Sequence, residues 1–338
     1  MASLALLAAI SVANGFLATP NRPPRVPVAA ADMSCDCAVI GAGPAGSVIA
    51  WLLAERGGLE VALVDPNLDK PWPNNYGVWE SEFDALHAMM PELKLKDCVD
   101  HTWPRTDCFF QTDAQRTTLD SPYCRVHRGR LQETLRTRSD AVGVRRIQAK
   151  VRGDAASWCA NIVDGIRHDA AGSTLEFDDG RTLRATSVVD CTGFESSLTS
   201  RQGNGGPPPT FQVAYGIYGL VEEASLAPYD ADAMLLFDYR DDHLPVKERD
   251  ASPSFMYAMP LDLDLATGLR TVFFEETSLV ARPGLPLKEL ERRTYLRLEH
   301  LGVELKGKHP DEPDELSYIP MGGSPAVWKS TVKLGLAA

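Results

Sequence analysis

One short stretch limits what this chain can fold into more than any other. Gly41-x-Gly43-x-x-Gly46 follows the apolar run Asp36-Cys-Ala-Val-Ile40 and precedes a helical pattern from Ser47 to Glu55. Val48, Leu52 and Leu53 recur at helical spacing, and Gly57-Gly58 supplies the stop. A second apolar run, Val61-Ala-Leu-Val64, ends at Asp65. Strand, glycine turn, helix and strand make a βαβ unit that feeds a parallel sheet. Gly41 permits the tight turn, Gly43 lets the backbone approach a pyrophosphate, and Gly46 lets helix and strand pack closely. The turn Gly41-Ala42-Gly43-Pro44-Ala45-Gly46 would set the phosphates against the helix N-terminus. Asp65, 19 residues after Gly46, stands where a carboxylate takes a ribose hydroxyl. The pattern predicts a dinucleotide site.

A later strand, Thr182–Val189, runs into Asp190-Cys-Thr-Gly193. An N-terminal βαβ unit joined to such a strand is similar to the two-part FAD site of glutathione-reductase-like flavoproteins. That likeness implies FAD rather than NAD, with Thr192 and Gly193 near the flavin nucleotide. Arg125 and Arg130 flank the start of a charged helix predicted over Arg130–Ser139. Either of them reaches the cofactor's diphosphate, or they are a solvated basic helix end.

Composition removes other classes. With 34 Lys+Arg against 46 Asp+Glu, the net charge of -12 leaves no basic footprint for nucleic acid. Seven scattered cysteines lack zinc spacing and read as reduced structural thiols. Residues 1–32 read as a leader. The apolar stretch Leu4–Ala13 is too short to span a bilayer, which takes about 20 residues, and suits a signal peptide. Asn14-Gly-Phe16 and the acid-free Thr19–Arg25 follow it, resembling the two-part leader of algae with secondary plastids.

Between the two nucleotide motifs, residues 70–107 read as aromatic-rich and irregular, with a helix over Glu80–Met90. Val144–Val151, Ala160–Ile166 and Ser173–Phe177 read as strands, and Asp178-Asp-Gly180 as a hairpin turn. Gly203–Pro209 is the clearest loop, and the preferred domain boundary. Beyond it Phe211–Val221, Ala233–Asp238, Ser254–Met259 and Leu269–Glu276 suggest an antiparallel sheet. A helix with Leu287, Leu290, Thr294, Leu298 and Leu301 on one face follows. The expected fold is α/β: a Rossmann-type FAD-binding domain with an antiparallel β-sheet substrate domain. Residues 33–202 would be mainly the FAD-binding domain, with 70–125 partly lining the substrate site. Residues 203–325 would be the substrate domain, and 326–338 a divergent or truncated C-terminus.

Trp72-Pro-Asn-Asn-Tyr-Gly-Val-Trp79 is a motif that generic flavoproteins lack. Taken in order with Val213–Ile217, Asp238-Tyr-Arg-Asp241, Tyr257-Ala-Met-Pro260, Phe273-Phe-Glu-Glu-Thr-Ser-Leu279 and Ile319-Pro-Met-Gly-Gly323, it resembles the lycopene cyclases of plants and algae over residues 36–325. The resemblance implies an enzyme of carotenoid synthesis that closes ionone rings on lycopene and related carotenes. It also implies reduced FAD as cofactor, NADPH as its reductant, and a place at the plastid membrane surface where the hydrocarbon substrate dissolves. Motifs of both β-cyclases and ε-cyclases occur, with the β-cyclase pattern favoured. The family pattern continues past Pro320-Met-Gly-Gly323 with a glycine-rich segment that residues 326–338 do not match, which leaves a truncated, inactive flavoprotein as an alternative. A flavin-dependent oxidoreductase, either a hydroxylase or a prenyl reductase, is another.

Cyclisation needs an acid for a terminal double bond and a base for a ring proton. A carboxyl on an apolar strand suits this, because desolvation raises its pKa. Glu275 and Glu276 follow Val272-Phe-Phe274, and on a regular strand they face opposite sides, so only one can meet the polyene. In the family this pair is linked to acid–base catalysis, and Glu275 is the preferred acid. Trp72, Tyr76, Trp79 and Tyr257 are candidates to face a carbocation through their π systems. Asp238, Arg240 and Asp241 either hydrogen-bond around the substrate or form a salt-bridged turn.

Overall fold

The computed structural model describes residues 33–110, 115–152, 165–194, 198–201, 208–323 and 326–328. The leader expected over 1–32 lies outside the described residues. So do residues 160–164 of the expected strand Ala160–Ile166, residues 203–207 of the expected boundary loop, and residues 329–338.

The glycine turn joins β1 (Met33–Ile40) to α1 (Pro44–Glu55), which leads to β2 (Val61–Asp65). β1 pairs in parallel with β2 on one side and with β11 (Thr182–Asp190) on the other. Cys35 through Ile40 are all buried, as in a strand covered on both faces. β8 (Arg145–Gln148), β9 (Ile166–Asp169) and β10 (Gly172–Glu176) complete a sheet ordered β8-β2-β1-β11-β10-β9. α1 is apolar almost all round because it is covered twice. Ile49, Ala50 and Leu53 pack on the sheet with Val39 and Leu63. Val48, Trp51 and Leu52 pack against Phe83 and Leu86 of α2 (Glu80–Met89) and against Leu131 and Leu135 of α3 (Arg128–Ala141).

Residues 70–107 carry more order than their sequence suggested. β3 (Tyr76–Trp79), β4 (Val99–Trp103) and β7 (Tyr123–Val126) form a three-stranded antiparallel sheet. β5 (Arg105–Phe109) and β6 (Arg116–Leu119) join a larger sheet. These strands are too short for a clear period-2 pattern, and their order comes from distant partners.

That larger sheet contains β13 (Thr210–Glu222), β14 (Ala233–Asp238), β15 (Ser254–Asp264), β16 (Leu269–Ser278) and β17 (Leu305–Lys308), in the order β17-β13-β16-β15-β14-β5-β6. β18 (Glu315–Met321) also pairs with β13. The neighbours are antiparallel except β14 and β5, which run parallel. A short α4 (Val246–Ala251) precedes β15, and β12 (Thr199–Arg201) pairs with β19 (Ala326–Trp328). One face of the sheet, with Val213, Ile217, Met256, Val272 and Phe274, packs under Leu290 and Leu298 of α5 (Leu287–His300). The other face, with Tyr218, Met259 and Phe273, packs with Trp103 and Tyr123 of the three-stranded sheet. β5 and β6 come from before residue 203, so the larger sheet is built from both halves of the chain.

Candidate active site

The two faces of β16 separate Glu275 from Glu276. Glu276 lies with Val272 and Phe274 on the α5 side, where it is fully buried. Arg297 of α5 donates from Nε and Nη2 to its two carboxylate oxygens, each at 2.8 Å, and Ser254 Oγ donates to Oε1 at 2.7 Å. Three donors thus hold that carboxylate, two on Oε1 and one on Oε2. Glu275 faces the opposite way with Phe273, in the layer between the two sheets, directly across from Tyr257 on β15 and Gly216 on β13. Among the described residues its one side-chain donor is Thr277 Oγ1, at 2.9 Å. Loss of water, aided by the negative charge of Glu315, pushes its pKa up to about 7.

The layer around Glu275 is aromatic. Trp79 meets Tyr123 edge-on at 5.1 Å, Tyr218 tilts over Phe273 at 4.9 Å, and Tyr257 meets Phe273 edge-on at 6.4 Å. The Tyr257 and Tyr123 hydroxyls are hydrogen-bonded to each other. Gly77 makes this packing possible. A Cβ there would stand 2.4 Å from the Tyr257 hydroxyl and 2.6 Å from Met259 Cε. The loop before β3 is fastened to β18: the Asn75 amide donates to Glu315 Oε2 at 2.8 Å, and Asn74 Nδ2 to Oε1 at 3.3 Å.

At the nucleotide motif, Gly41 has φ of +103°, and a Cβ there would lie 2.3 Å from the Cys191 carbonyl at the end of β11. A Cβ on Gly46 would lie 1.9 Å from the Gly41 carbonyl. A Cβ on Gly43 would meet nothing within 4 Å. Gly43 therefore borders open space at the start of α1, whose first turn holds no acidic residue and whose N-terminus has no side-chain cap. Those are the conditions for a phosphate to approach. Pro44 opens the helix, and Ala42 and Ala45 pack on the core of the parallel sheet. Asp65 accepts from the Ala42 amide at 2.9 Å and the Asn67 amide at 2.6 Å, one on each oxygen, which leaves lone pairs for a ribose hydroxyl. Thr192 is tied to Asp190 by its amide and hydroxyl, and Gly193 has φ of +83° beside open space. The cradle fits a dinucleotide.

Several expected site residues go elsewhere. Glu276 is bound into the α5 side, not the aromatic layer. Asp238 and Arg240 lie on the same side as Glu276, as an ion pair. Asp238 shares the Met256–Glu276 row, so it also lies beneath α5, where Arg240 Nε donates to it at 2.8 Å and the Tyr229 hydroxyl at 2.8 Å. Asp241 pairs with Arg249 at 3.3 Å, so the salt-bridged turn is the arrangement found. Trp72 and Tyr76 pack with the helix core, Tyr76 also within electrostatic reach of Glu315, and Trp72 Nε1 donates to the Ala42 carbonyl at 3.2 Å, beside the nucleotide turn. Arg125 lies on β7, where Nε donates to Asn75 Oδ1 at 3.0 Å, the guanidinium covers the Tyr218 ring at 5.5 Å, and Asp100 is 3.6 Å away. None of these partners belongs to the nucleotide cradle, and Arg130 offers its amide to the α3 cap at His127. Asn75 and Gly77 lie inside the Trp72–Trp79 motif and Gly216 inside Val213–Ile217, though none of the three was singled out as a site residue; Tyr123, Arg297 and Glu315 were missed altogether. Arg297 left a signal, since it falls on the apolar stripe of α5.

The comparisons with known proteins agree with this geometry. The family model described as lycopene cyclase protein matches residues 36–338. A chloroplastic lycopene beta cyclase of Nicotiana tabacum is 40% identical over 86% of this chain and 52% of its own length. One from an Oncidium hybrid cultivar is 41% identical over 85% and 55%. A chromoplastic capsanthin/capsorubin synthase of Citrus sinensis is 38% identical over 89% and 54%. This chain thus spans about half the length of the relatives it matches. In fold it is similar to halogenase PltM, solved with phloroglucinol and FAD, at a TM-score of 0.57 and 16% identity over 85% of this chain and 60% of that one. It is also similar to flavin-dependent brominase Bmp2, at 0.55 and 15% over 85% and 68%. Those two likenesses carry the mixed α/β architecture. The ordered motifs, the glycine cradle and the family match over nearly the whole described chain come together in one statement: this chain belongs to the lycopene cyclase family.

Proposed function

We propose that this chain is a lycopene β-cyclase of carotenoid synthesis, using FAD to convert the open ψ-ends of lycopene to β-ionone rings, through γ-carotene to β-carotene. The observation that carries the reading is the placement of Glu275. It is a carboxyl held near neutral pKa, on the aromatic side of a strand whose other carboxyl is consumed by Arg297. Glu275 delivers its proton to the terminal C1=C2 double bond. The C5=C6 electrons then close the C1–C6 bond, and loss of the C6 proton gives the β-ring and balances the reaction without net electron transfer. Trp79, Tyr123, Tyr257 and Phe273 offer π faces to the cation and exclude the water that would trap it.

The glycine turn 41–46, Asp65 and Thr192-Gly193 would hold the FAD. Bound and reduced with NADPH, the flavin supplies electron density that stabilises positive charge. The relatives' chloroplastic names support a plastid location. Contact with the membrane surface is read from the substrate, a hydrocarbon that dissolves in the bilayer; among the described residues no helix is long and apolar enough to cross one.

The test is expression of the chain in a lycopene-accumulating bacterium with chromatography of the pigments. β-Ring carotenes made by the wild type and lost in Glu275→Gln support the reading. Unchanged lycopene beside a folded, flavin-loaded chain overturns it, and ε-ring carotenes would move the assignment to the ε-cyclases. NADPH consumed in step with product would point to an oxidoreductase.

A further inference from the structure

β13 has β16 on one side and β18 on the other, and Gly216 is registered with Glu275 on the first and with Glu315 on the second. Residues in one row share a face, so the two carboxyls stand on the aromatic side with a glycine between them. The Phe273 ring leans over Gly216, so close that a Cβ there would lie 2.7 Å from Cζ. A low-polarity filling strengthens the interaction of charges across it.

The donors around the two groups are unequal. Glu315 accepts from the Asn75 amide, Asn74 Nδ2 and Ser317 Oγ, whereas among the described residues Glu275 has only Thr277 Oγ1 as a side-chain donor. Burial raises both carboxyls above their ordinary value, but the three donors and Arg128 oppose that rise at Glu315 far more than one hydroxyl does at Glu275, so the charge settles on Glu315 and the proton on Glu275. The other titratable groups facing the pair are Tyr257 from β15, Tyr123 from β7, Tyr76 from β3 and Arg128 from α3. The tyrosines stay neutral in the working range because burial raises them, and Arg128 adds to the preference of Glu315 for its charge.

We propose that Glu315 is a positioning residue of this site: its carboxylate, fixed by the Asn74–Asn75 loop and set across Gly216 from Glu275, keeps the proton on Glu275. This deepens the cyclase reading and rests on it for its use, but the protonation itself is measurable without turnover.

The experiment follows protonated-carboxyl infrared bands of the full chain through a pH titration, with the Glu275 band identified by its absence in Glu275→Gln. Glu315→Gln removes the charge and keeps the shape, and it is expected to move the Glu275 midpoint down by about one pH unit. Glu315→Asp, which keeps the charge, is expected to leave the midpoint near that of the wild type. Because Glu275 stays protonated while Glu315 titrates, Glu275→Gln is expected to leave the Glu315 midpoint near that of the wild type, and Glu315→Ala, which also removes the charge, gives a second reading of the Glu275 midpoint should Glu315→Gln fail to fold. An unmoved Glu275 midpoint, or equal shifts with Gln and Asp, overturns the proposal. Ring formation by the wild type, measured beside the bands, separates the two ideas. A band shifted in Glu315→Gln beside a wild type that makes no ring product would leave the coupling standing and sink the cyclase reading, and wild-type ring product with an unshifted band would do the reverse.

Discussion

Arg297 holds both carboxylate oxygens of Glu276 at 2.8 Å, in a fully buried pair one residue from the group assigned here as the acid. Removing one partner strands the other charge. Glu276→Gln is therefore expected to cost about 3 kcal/mol, since Arg297 would keep only Asp238, 4.0 Å away, as an anionic neighbour. Glu275→Gln breaks no ion pair and is expected to abolish ring formation with little loss of stability. Urea unfolding and pigment analysis on the two variants check the contrast, and equal instability would remove the division of labour between the faces.

The raised pKa of Glu275 predicts how stability and activity vary with pH. Between its ordinary value of 4.5 and about 7, the folded state binds a proton that the unfolded state has released. Stability contributed by this group therefore falls as pH rises through that window and levels off above it. Glu275→Gln should be relatively more stable than wild type at pH 8, and the advantage should vanish below about pH 4.5. Ring formation should fall about tenfold per unit above pH 7 as the acid is lost. Paired melting curves and a pH–rate profile test both.

The nucleotide glycines should separate folding from binding. Gly43 faces open space at an ordinary φ of -69°, so Gly43→Ala should leave the apoprotein's melting point nearly unchanged while lowering bound flavin. Gly41→Ala meets the Cys191 carbonyl at a positive φ and should cost about 2 kcal/mol or more. Flavin absorbance per mole of protein, measured beside thermal unfolding, distinguishes them. A Gly43→Ala protein with full flavin would contradict the cradle.

Gly77→Ala is expected to displace the Tyr257 hydroxyl and break its bond to Tyr123. Overpacking of this kind costs about 1–3 kcal/mol. The aromatic layer would be reshaped beside Glu275, so ring formation should drop by more than the folded fraction does. Product per folded molecule is the quantity to measure, and an unchanged value would show that the Tyr123–Tyr257 contact has no part in the chemistry.

Much of this protein was legible in residues alone. Gly41-x-Gly43-x-x-Gly46 could be read because its demands are local: a positive φ, a backbone carbonyl in contact and a helix start. The strands β13 to β16 were found because they are long enough to show alternation, and Val272-Phe-Phe-Glu-Glu276 already implied that its two carboxyls part company. Which carboxyl met which surroundings depended on α5, whose Arg297 sits 21 residues beyond Glu276 and captures it only when the helix packs on that face. Asp238 and Arg240 went to the same side for the same reason, although their motif reads equally well as a substrate cluster. Glu315 was invisible as a site residue, since only the return of β18 along β13 sets it across Gly216 from Glu275. Local conformational preference determines the elements and their patterns. Long-range pairing and the cost of burying charge decide which side chains face one another.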